Sequence, residues 1–447
     1  MDIRKEQSTS TDKVSKITEN PLDGFSKLSR EERYQRLLDL GYIGPVEFDF
    51  LMNEMPMDPS LSDHFIENSI GNYKMPIGVA VHFNINGEDK IIPMAVEETS
   101  IIAAASKTAK WVKSNGEITA RALGQDIIGQ IQIARSQNPT KAVERVLAQK
   151  QKLISDANVI AEGMVKRGGG VKDITARIIP RSLEIAGDND SMVVFHVMMD
   201  PCDAMGANVI NQVCEALKPK IEELTQDVVT MCILSNLVDT KLTEAKVVIR
   251  NIDPEIGKGI EEASLFAQLD PYRAATNNKG VMNGIDAVLI ATGNDWRAVE
   301  AGVHSYAAQS GRYKSITQWK MIGKDLVGTL TAPIVVGTVG GVTQLHPTAK
   351  MALKILKIQD AQELSNVAAS VGLVQNLGAL KALSGIGIVQ GHMRLHAGNL
   401  ALQAGANQKE LPQVQVILQK LLDSQKKITV QDAKDILEKL RKGLLYS

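Results

Sequence analysis

A chain of 447 residues with 44% apolar content has room for two or three domains and a sizeable core. Its 50 basic and 51 acidic residues leave a net charge of −1, which excludes the strongly basic surface that nucleic acid or an anionic membrane selects and points to small-molecule partners. The three cysteines, Cys202, Cys214 and Cys232, lack CxxC spacing, so they signal neither a disulfide framework nor a cysteine zinc site, and a reducing cytoplasm fits them.

Residues 1–20 are polar and lack the apolar core of a secretory signal, so they read as a disordered leader. From Ser100 an Ala-rich run with lysines gathering at its far end predicts a helix that stops near Asn115-Gly116. Between about 121 and 232 the texture alternates. Gln130–Ala134, Asp173–Ile179 and Met192–Met198 read as strands, Pro139–Val159 and Ala204–Leu224 as helices, and together they predict an inserted domain of split β-α-β type. Beyond 233 come long helical segments, Asp295–Gln309 and Thr348–Ile355 among them, with Gly378–Leu383 closing another. Ala287 to Ala291 reads as a buried strand. After Gly385-Ile-Gly387 the last 60 or so residues form a separable helical piece, in which Thr429-Val-Gln-Asp432 is an N-cap sequence. The expected division is therefore 1–20 leader, 21–120 with 233–385 as a large domain, 121–232 as a small one, and 386–447 as a C-terminal flap. No run of 18 apolar residues occurs, so a membrane span is not expected.

The densest chemistry lies in Arg273-Ala-Ala-Thr-Asn-Asn-Lys279-Gly-Val-Met-Asn283-Gly-Ile-Asp286 and the following Asn294-Asp295-Trp296-Arg297. Cations, amides and carboxylates crowd one short apolar run, and Lys279 and Asp295 are expected to meet at one mouth. A solvated Lys–Asp pair is the blander account, yet it leaves four Asn and two Arg in one window unexplained. Glu97 and Glu98 precede the Ala-rich helix, where acidic residues favour the positive helix end; to donate a proton near neutrality one of them must be desolvated. No G-x-G-x-x-G follows a strand, so a Rossmann site is not expected. Asp203-Ala-Met-Gly-Ala-Asn208 opens a helix whose N–H groups suit a pyrophosphate, and the Lys166-Arg-Gly-Gly-Gly170 run is a second, weaker phosphate feature. The seven histidines form no clustered ligand pattern, so no metal is expected, and Cys202 is read as inert.

These motifs resemble HMG-CoA reductase. The likeness also takes in Glu67-Asn-Ser-Ile-Gly71, Met75-Pro-Ile-Gly-Val-Ala80, Met94-Ala-Val-Glu-Glu98-Thr-Ser100, Ile233-Leu-Ser-Asn-Leu237 and Gln390-Gly-His392-Met, and it runs from about residue 20 to the C-terminus. Spacing and the lack of a membrane region resemble the soluble class II branch. The resemblance implies an α+β fold: a large mixed helical and sheet domain for the substrate, an inserted ferredoxin-like cofactor domain, and a helical flap.

It implies four-electron reduction of (S)-HMG-CoA to mevalonate and CoA with two NAD(P)H, in the mevalonate pathway of isoprenoid synthesis. The residues it marks as catalytic are Glu98, Lys279, Asp295 and His392, with Lys279 held by Asp295 and Glu98. It places Arg273, Ser100, Asn236 and Asn283 on the HMG group, and Asp203, Met205, Gly206, Asn208 and Asn211 on the dinucleotide. NADPH is favoured over NADH because Ala161 stands where NADH-preferring relatives carry an Asp that binds the ribose. After His396 the chain reads Ala-Gly-Asn399 where some relatives have Ala-Arg-Asn, so no CoA contact transfers there. The resemblance further implies a cytoplasmic homodimer or larger homo-oligomer with a shared active site. Two other readings compete with this one: NAD-dependent mevalonate oxidation in the reverse direction, and a non-redox acyl-CoA binder.

Overall fold

The computed structural model describes residues 20–55, 57–181, 191–385, 397–425 and 428–444. The expected leader and His392 lie outside them. Two compact units divide the chain after Pro56. In the first, α1 (Arg30–Asp39) starts at a capping box between Ser29 and Glu32, and α2 (Pro45–Met52) places Pro45 at its first turn, where a missing N–H costs nothing.

The second unit holds both sheets. After α3 (Pro59–Phe65), strands β1 (Ile77–Ile85) and β2 (Glu88–Ala95) form a hairpin across Asn86-Gly87. Both turn residues have positive φ (53° and 86°), the geometry whose twist matches the flanking strands. Helix α4 (Ile101–Asn115) follows and stops before Gly116, as expected. Strand β3 (Gly116–Ala122) then joins a six-stranded sheet that is completed much later in the chain.

Between the two halves of that sheet comes the inserted piece. It comprises β4 (Ile127–Ile133), α5 (Pro139–Ala148), α6 (Lys150–Ile160), α7 (Glu162–Val165), β5 (Gly170–Pro180), β6 (Ser191–Asp200), α8 (Ala207–Thr225) and β7 (Met231–Ser235). Its strand order β5-β6-β4-β7, antiparallel throughout, is the split β-α-β arrangement of a ferredoxin-like fold. The expected helix over Pro139–Val159 is two helices, broken at Gln149.

Strand β8 (Leu242–Ile249) resumes the larger sheet, and after α9 (Pro254–Leu269), α10 (Pro271–Ala291) and α11 (Trp296–Ala308) the hairpin of β9 (Thr317–Ile322) and β10 (Asp325–Pro333) closes it in the order β2-β1-β3-β8-β10-β9. Next come α12 (Gly341–Leu345), α13 (Pro347–Leu356) and the 23-residue α14 (Ala361–Leu383). The core packs α4, α10 and α14 on this sheet, with Phe83, Met94, Val247, Val288, Leu330 and Leu373 all fully buried. Helical residues 397–403 (α15), α16 (Leu411–Gln425) and α17 (Val430–Arg441) share a separate apolar cluster, and Thr429 and Asp432 form the expected capping box.

One element assignment is corrected. Ala287–Ala291 is not a strand but the end of α10, so the polar groups read as flanking turns ride on one helix. A helix buried on most sides shows no 3.6-residue period, and a five-residue apolar run then resembles a strand. The start signal was present: Asp270 caps the helix through its Oδ2, 2.6 Å from Arg273 N, and Pro271 takes the first position. Gly378–Leu383 closes a long helix, α14, as expected. Among the described residues no helix is long and apolar enough to cross a membrane.

Candidate active site

Lys279, Asn283 and Asp286 follow one another at i, i+4 and i+7 on α10, so they share one helix face over about 10 Å. Lys279 Nζ reaches Glu98 Oε2 at 3.0 Å from the loop before α4. Both side chains keep much of their exposure, 62% and 42%, so the described residues supply the charge pair but not the desolvation expected at Glu98. The expected meeting of Lys279 with Asp295 is corrected. Asp295 caps α11 through Ala298 N at 3.2 Å and pairs with Arg297 at 3.1 Å.

Asn283 has no hydrogen-bond partner among the described residues and so presents a free amide one turn from Lys279. Arg273 lies six residues before Lys279, about 9 Å along the axis and a third of a turn around it. Its half-buried guanidinium has no carboxylate partner among the described residues, and burial lowers its pKa. An unpaired, partly desolvated guanidinium is a ready clamp for a carboxylate. Ser100 occupies the N-cap of α4 but does not cap it. It stands at φ 81°, and its buried Oγ has no partner among the described residues. A non-Gly residue held there is strained, as at many ligand clamps. Asn236 is exposed just beyond β7 and, with Met205, Ala207, Ile210, Ala298 and Pro333, lines an apolar cleft between the four-stranded sheet and α11.

What fixes α10 in rotation lies immediately before Lys279. Asn277, 3% exposed, donates to Ser315 Oγ (2.7 Å) and Thr317 Oγ1 (3.1 Å) and accepts from Asn376 Nδ2 (2.9 Å), whose Oδ1 takes the Trp319 indole N–H (2.8 Å). Asn278, fully buried, donates to Tyr313 OH and accepts from Ile316 N, and Tyr313 in turn meets His304 Nδ1 at 2.7 Å. Two of the four Asn that marked this window are therefore structural ties, each bonded on both sides.

The Asp203 loop is held between the two sheets. Asp203 Oδ1 accepts from Ala361 N at the start of α14 (3.1 Å), and its carbonyl accepts from Thr338 N (2.9 Å), so one carboxylate oxygen is already engaged in the fold. Buried Lys241, 7% exposed, lies in the field of Asp200, Asp126 and Asp203; burial lowers its pKa against those charges. Gly206 stands at φ 84° where a Cβ would come 2.6 Å from both Ile127 and Pro201, so packing as well as backbone conformation demands glycine. The N-terminus of α8 has no side-chain cap and no acidic residue in its first turn, and Asn208 is exposed there. It is thus an open donor set of the kind a pyrophosphate uses. Asn211 is partly committed, accepting from Leu234 N at 2.9 Å.

Lys166-Arg-Gly-Gly-Gly170 is a helix stop: Gly168 N and Gly169 N return to Val165 and Met164 carbonyls, and a Cβ at Gly169 would sit 2.4 Å from Asp200 O. Ala161 is 1% exposed, packed in the apolar cluster of the four-stranded sheet. The same turn offers solvent Glu162 paired with Lys166, and Arg167.

Sequence reasoning assigned no role to Asp286. Burial, then Glu300 of α11, raise its pKa to about 8, and its Oδ1 is buried without a hydrogen-bond partner among the described residues. The available signal was the i+7 spacing from Lys279, which a strand reading of 287–291 hid.

The comparisons with known proteins agree on one family. The model described as hydroxymethylglutaryl-coenzyme A reductase matches residues 31–397. The 3-hydroxy-3-methylglutaryl-coenzyme A reductase of Archaeoglobus fulgidus is 43% identical over 96% of this chain and 97% of its own, and a probable one from Borreliella burgdorferi is 32% identical over 84% of each. Among solved structures, the Streptococcus pneumoniae enzyme superposes with a TM-score of 0.79 at 38% identity, over 94% of this chain and 99% of its own. Another structure of that protein, class II and bound to NADPH in open conformations, gives 0.77 at 38% identity over 81% and 99%.

Proposed function

The chain belongs to the HMG-CoA reductase family, and we propose from that premise that it reduces (S)-HMG-CoA to mevalonate and CoA at the expense of two NADPH. The observation that carries the reading is the Lys279–Glu98 pair beside the free amide of Asn283 on α10. As the thioester carbonyl is reduced, negative charge builds on its oxygen, and Lys279 is the cation placed to stabilise it, with Glu98 holding the ammonium. Arg273 clamps the free carboxylate of the HMG group, while Ser100, Asn236 and Asn283 contact its hydroxyl and carboxyl ends. Release of CoA thiolate calls for a proton donor, the role of His392, because an imidazolium of pKa about 6.5 suits a thiol of about 8.5. Glu98 or Lys279 protonates the alkoxide of the second reduction, and Asp295 acts from the cap of α11.

The uncapped start of α8, with Met205, Gly206 and Asn208 and the Asp203 and Asn211 ties behind it, would hold the dinucleotide. Bound there, a reduced nicotinamide supplies the hydride. NADPH over NADH is supported by the NADPH-bound state of the S. pneumoniae relative and by exposed Arg167. Residues 121–232 form the cofactor domain, 21–120 with 233–385 the substrate domain, and 386–447 the flap that carries His392. The fully exposed Ile70 and the largely exposed Tyr73, beside Glu67-Asn-Ser-Ile-Gly71, support a homodimer with shared sites, and three cysteines without CxxC spacing fit a cytoplasmic one.

The test follows reduced-nicotinamide absorbance with HMG-CoA and either NADPH or NADH while titrating free thiol. Two cofactors oxidised per thiol released, faster with NADPH, is the expected result. HMG-CoA binding without oxidation of either cofactor would leave a non-redox binder.

A further inference from the structure

The Asp286–Glu300 contact joins the helix that carries Lys279 and Asn283 to the helix that Asp295 caps. Two ionised carboxylates cannot hydrogen-bond to each other, and an ionised Asp286 would leave its buried Oδ1 with neither water nor a donor. One proton between the two groups removes both problems, as in any close carboxyl dyad. Among the described residues Glu300 of α11 is the one charged side chain that acts on Asp286; α4, α9, α13, α14 and β2, which also pack on α10, present no cation to it.

We infer that Asp286 and Glu300 share a single proton and that this acid pair, by clamping α10 to α11, is a positioning element that sets Lys279 and Asn283 relative to Asp295. The inference rests on the proposed reaction for its functional half, and for its shared proton on the buried, unpartnered Oδ1 of Asp286 at the packed α10–α11 interface together with the Glu300 interaction. Lys279 lies two turns from the clamp on the same face, so a slip of α10 against α11 moves the ammonium by a comparable amount. A misplacement of that kind can cost about 100-fold in rate without touching the substrate. Loss of the shared proton in alkali sets two negative charges against each other at the clamp.

The test uses the full chain and the variants Asp286→Asn, Glu300→Gln and Asp286→Ala. Both amide variants keep a donor between the helices; Asp286→Asn removes the buried carboxyl, whereas Glu300→Gln leaves Asp286 with burial alone raising its pKa and no second charge to repel it. Infrared difference spectra of wild type against Asp286→Asn should show a protonated-carboxyl C=O band at neutral pH that the variant lacks and that fades as wild type is titrated above about 8. The kcat profile of wild type should fall over the same range, while Asp286→Asn and Glu300→Gln keep neutral-pH kcat and lose that alkaline limb. Asp286→Ala should lose about 10- to 100-fold in kcat with a much smaller change in KM. A neutral-pH spectrum with no protonated-carboxyl band, or an alkaline limb unchanged in both amide variants, overturns the inference. Absence of HMG-CoA turnover in wild type overturns the positioning role together with the proposed reaction, and is recognisable because the infrared band is unaffected. Should Asp286→Asn fail to fold, Glu300→Gln carries the kcat readout and must shift the pH at which the infrared band fades, an unshifted band overturning the shared proton.

Discussion

Replacing Asn277 by Ala should destabilise the protein far more than one polar side chain in a helix ordinarily does. The substitution deletes two donated bonds, to Ser315 Oγ at 2.7 Å and Thr317 Oγ1 at 3.1 Å, worth about 1 kcal/mol each. It also strands Asn376 Nδ2, which donates to Asn277 Oδ1 at 2.9 Å. Asn376 is 2% exposed, so water does not replace the lost acceptor, and a stranded buried donor costs about 1–3 kcal/mol. The sum is about 3–5 kcal/mol. Urea unfolding followed by far-UV circular dichroism reads it as a lower midpoint at unchanged slope. Thr276→Ala, one residue earlier and exposed, is the control and should stay within about 0.5 kcal/mol. A loss below about 1 kcal/mol for Asn277→Ala, or one no larger than the control, would refute the view that this network fixes α10.

Removing the guanidinium in Arg273→Ala should raise KM for HMG-CoA by about 10- to 100-fold with kcat changed far less, since the clamp acts on the bound carboxylate before and during reaction; steady-state kinetics decides, and an unchanged KM would remove Arg273 from the substrate site. Lys90 is 7% exposed and pairs with Glu363 at 2.5 Å and Glu88 at 3.1 Å, so Lys90→Met, which strands Glu363 between β2 and α14, should cost about 3 kcal/mol by the same urea assay. Burial lowers the pKa of His346, which stacks on Phe65 with centroids 6.0 Å apart. The unfolded chain therefore binds the extra proton first, so this contribution is intact above about pH 6.5 and is lost as pH falls below it. His346→Gln should flatten the drop in urea midpoint between about pH 7 and 5, and an unaltered drop would place the sensitivity elsewhere.

Much of the architecture was legible because local signals agreed with the tertiary result. The stop of α4 at Asn115-Gly116, the split β-α-β insertion and the Thr429–Asp432 capping box each rest on turn or cap chemistry that acts within a few residues. Ala287–Ala291 failed for the opposite reason. The α10 sequence carries Asn277, Asn278, Gly280, Asn283 and Gly284, poor helix formers all, and tertiary contacts override that propensity. A Cβ at Gly284 would meet Val371 O at 3.0 Å, so close approach of α14 selects glycine there, while the two buried Asn bond to the β9 approach and, through Asn277, to α14. The site was partly legible for the same reason. Lys279, Glu98, Arg273 and Asn283 stood out by type, but a Lys–Asp pairing inferred from nearness in sequence yielded to the pairing that helix geometry imposes, across 181 residues to Glu98. Asp286 drew no role because its partner, Glu300, lies on another helix.

The account stands most directly on Lys279, and one measurement reaches it: single-turnover oxidation of NADPH by Lys279→Met saturated with HMG-CoA, alongside the dissociation constant for HMG-CoA from calorimetry. The expected result is a chemical step slowed by about 100- to 1,000-fold with HMG-CoA still bound, the signature of a cation whose interaction strengthens as the oxyanion forms. A rate within about threefold of wild type at saturating substrate would contradict the assignment of Lys279, and with it the claim that the Glu98-paired face of α10 carries the chemistry.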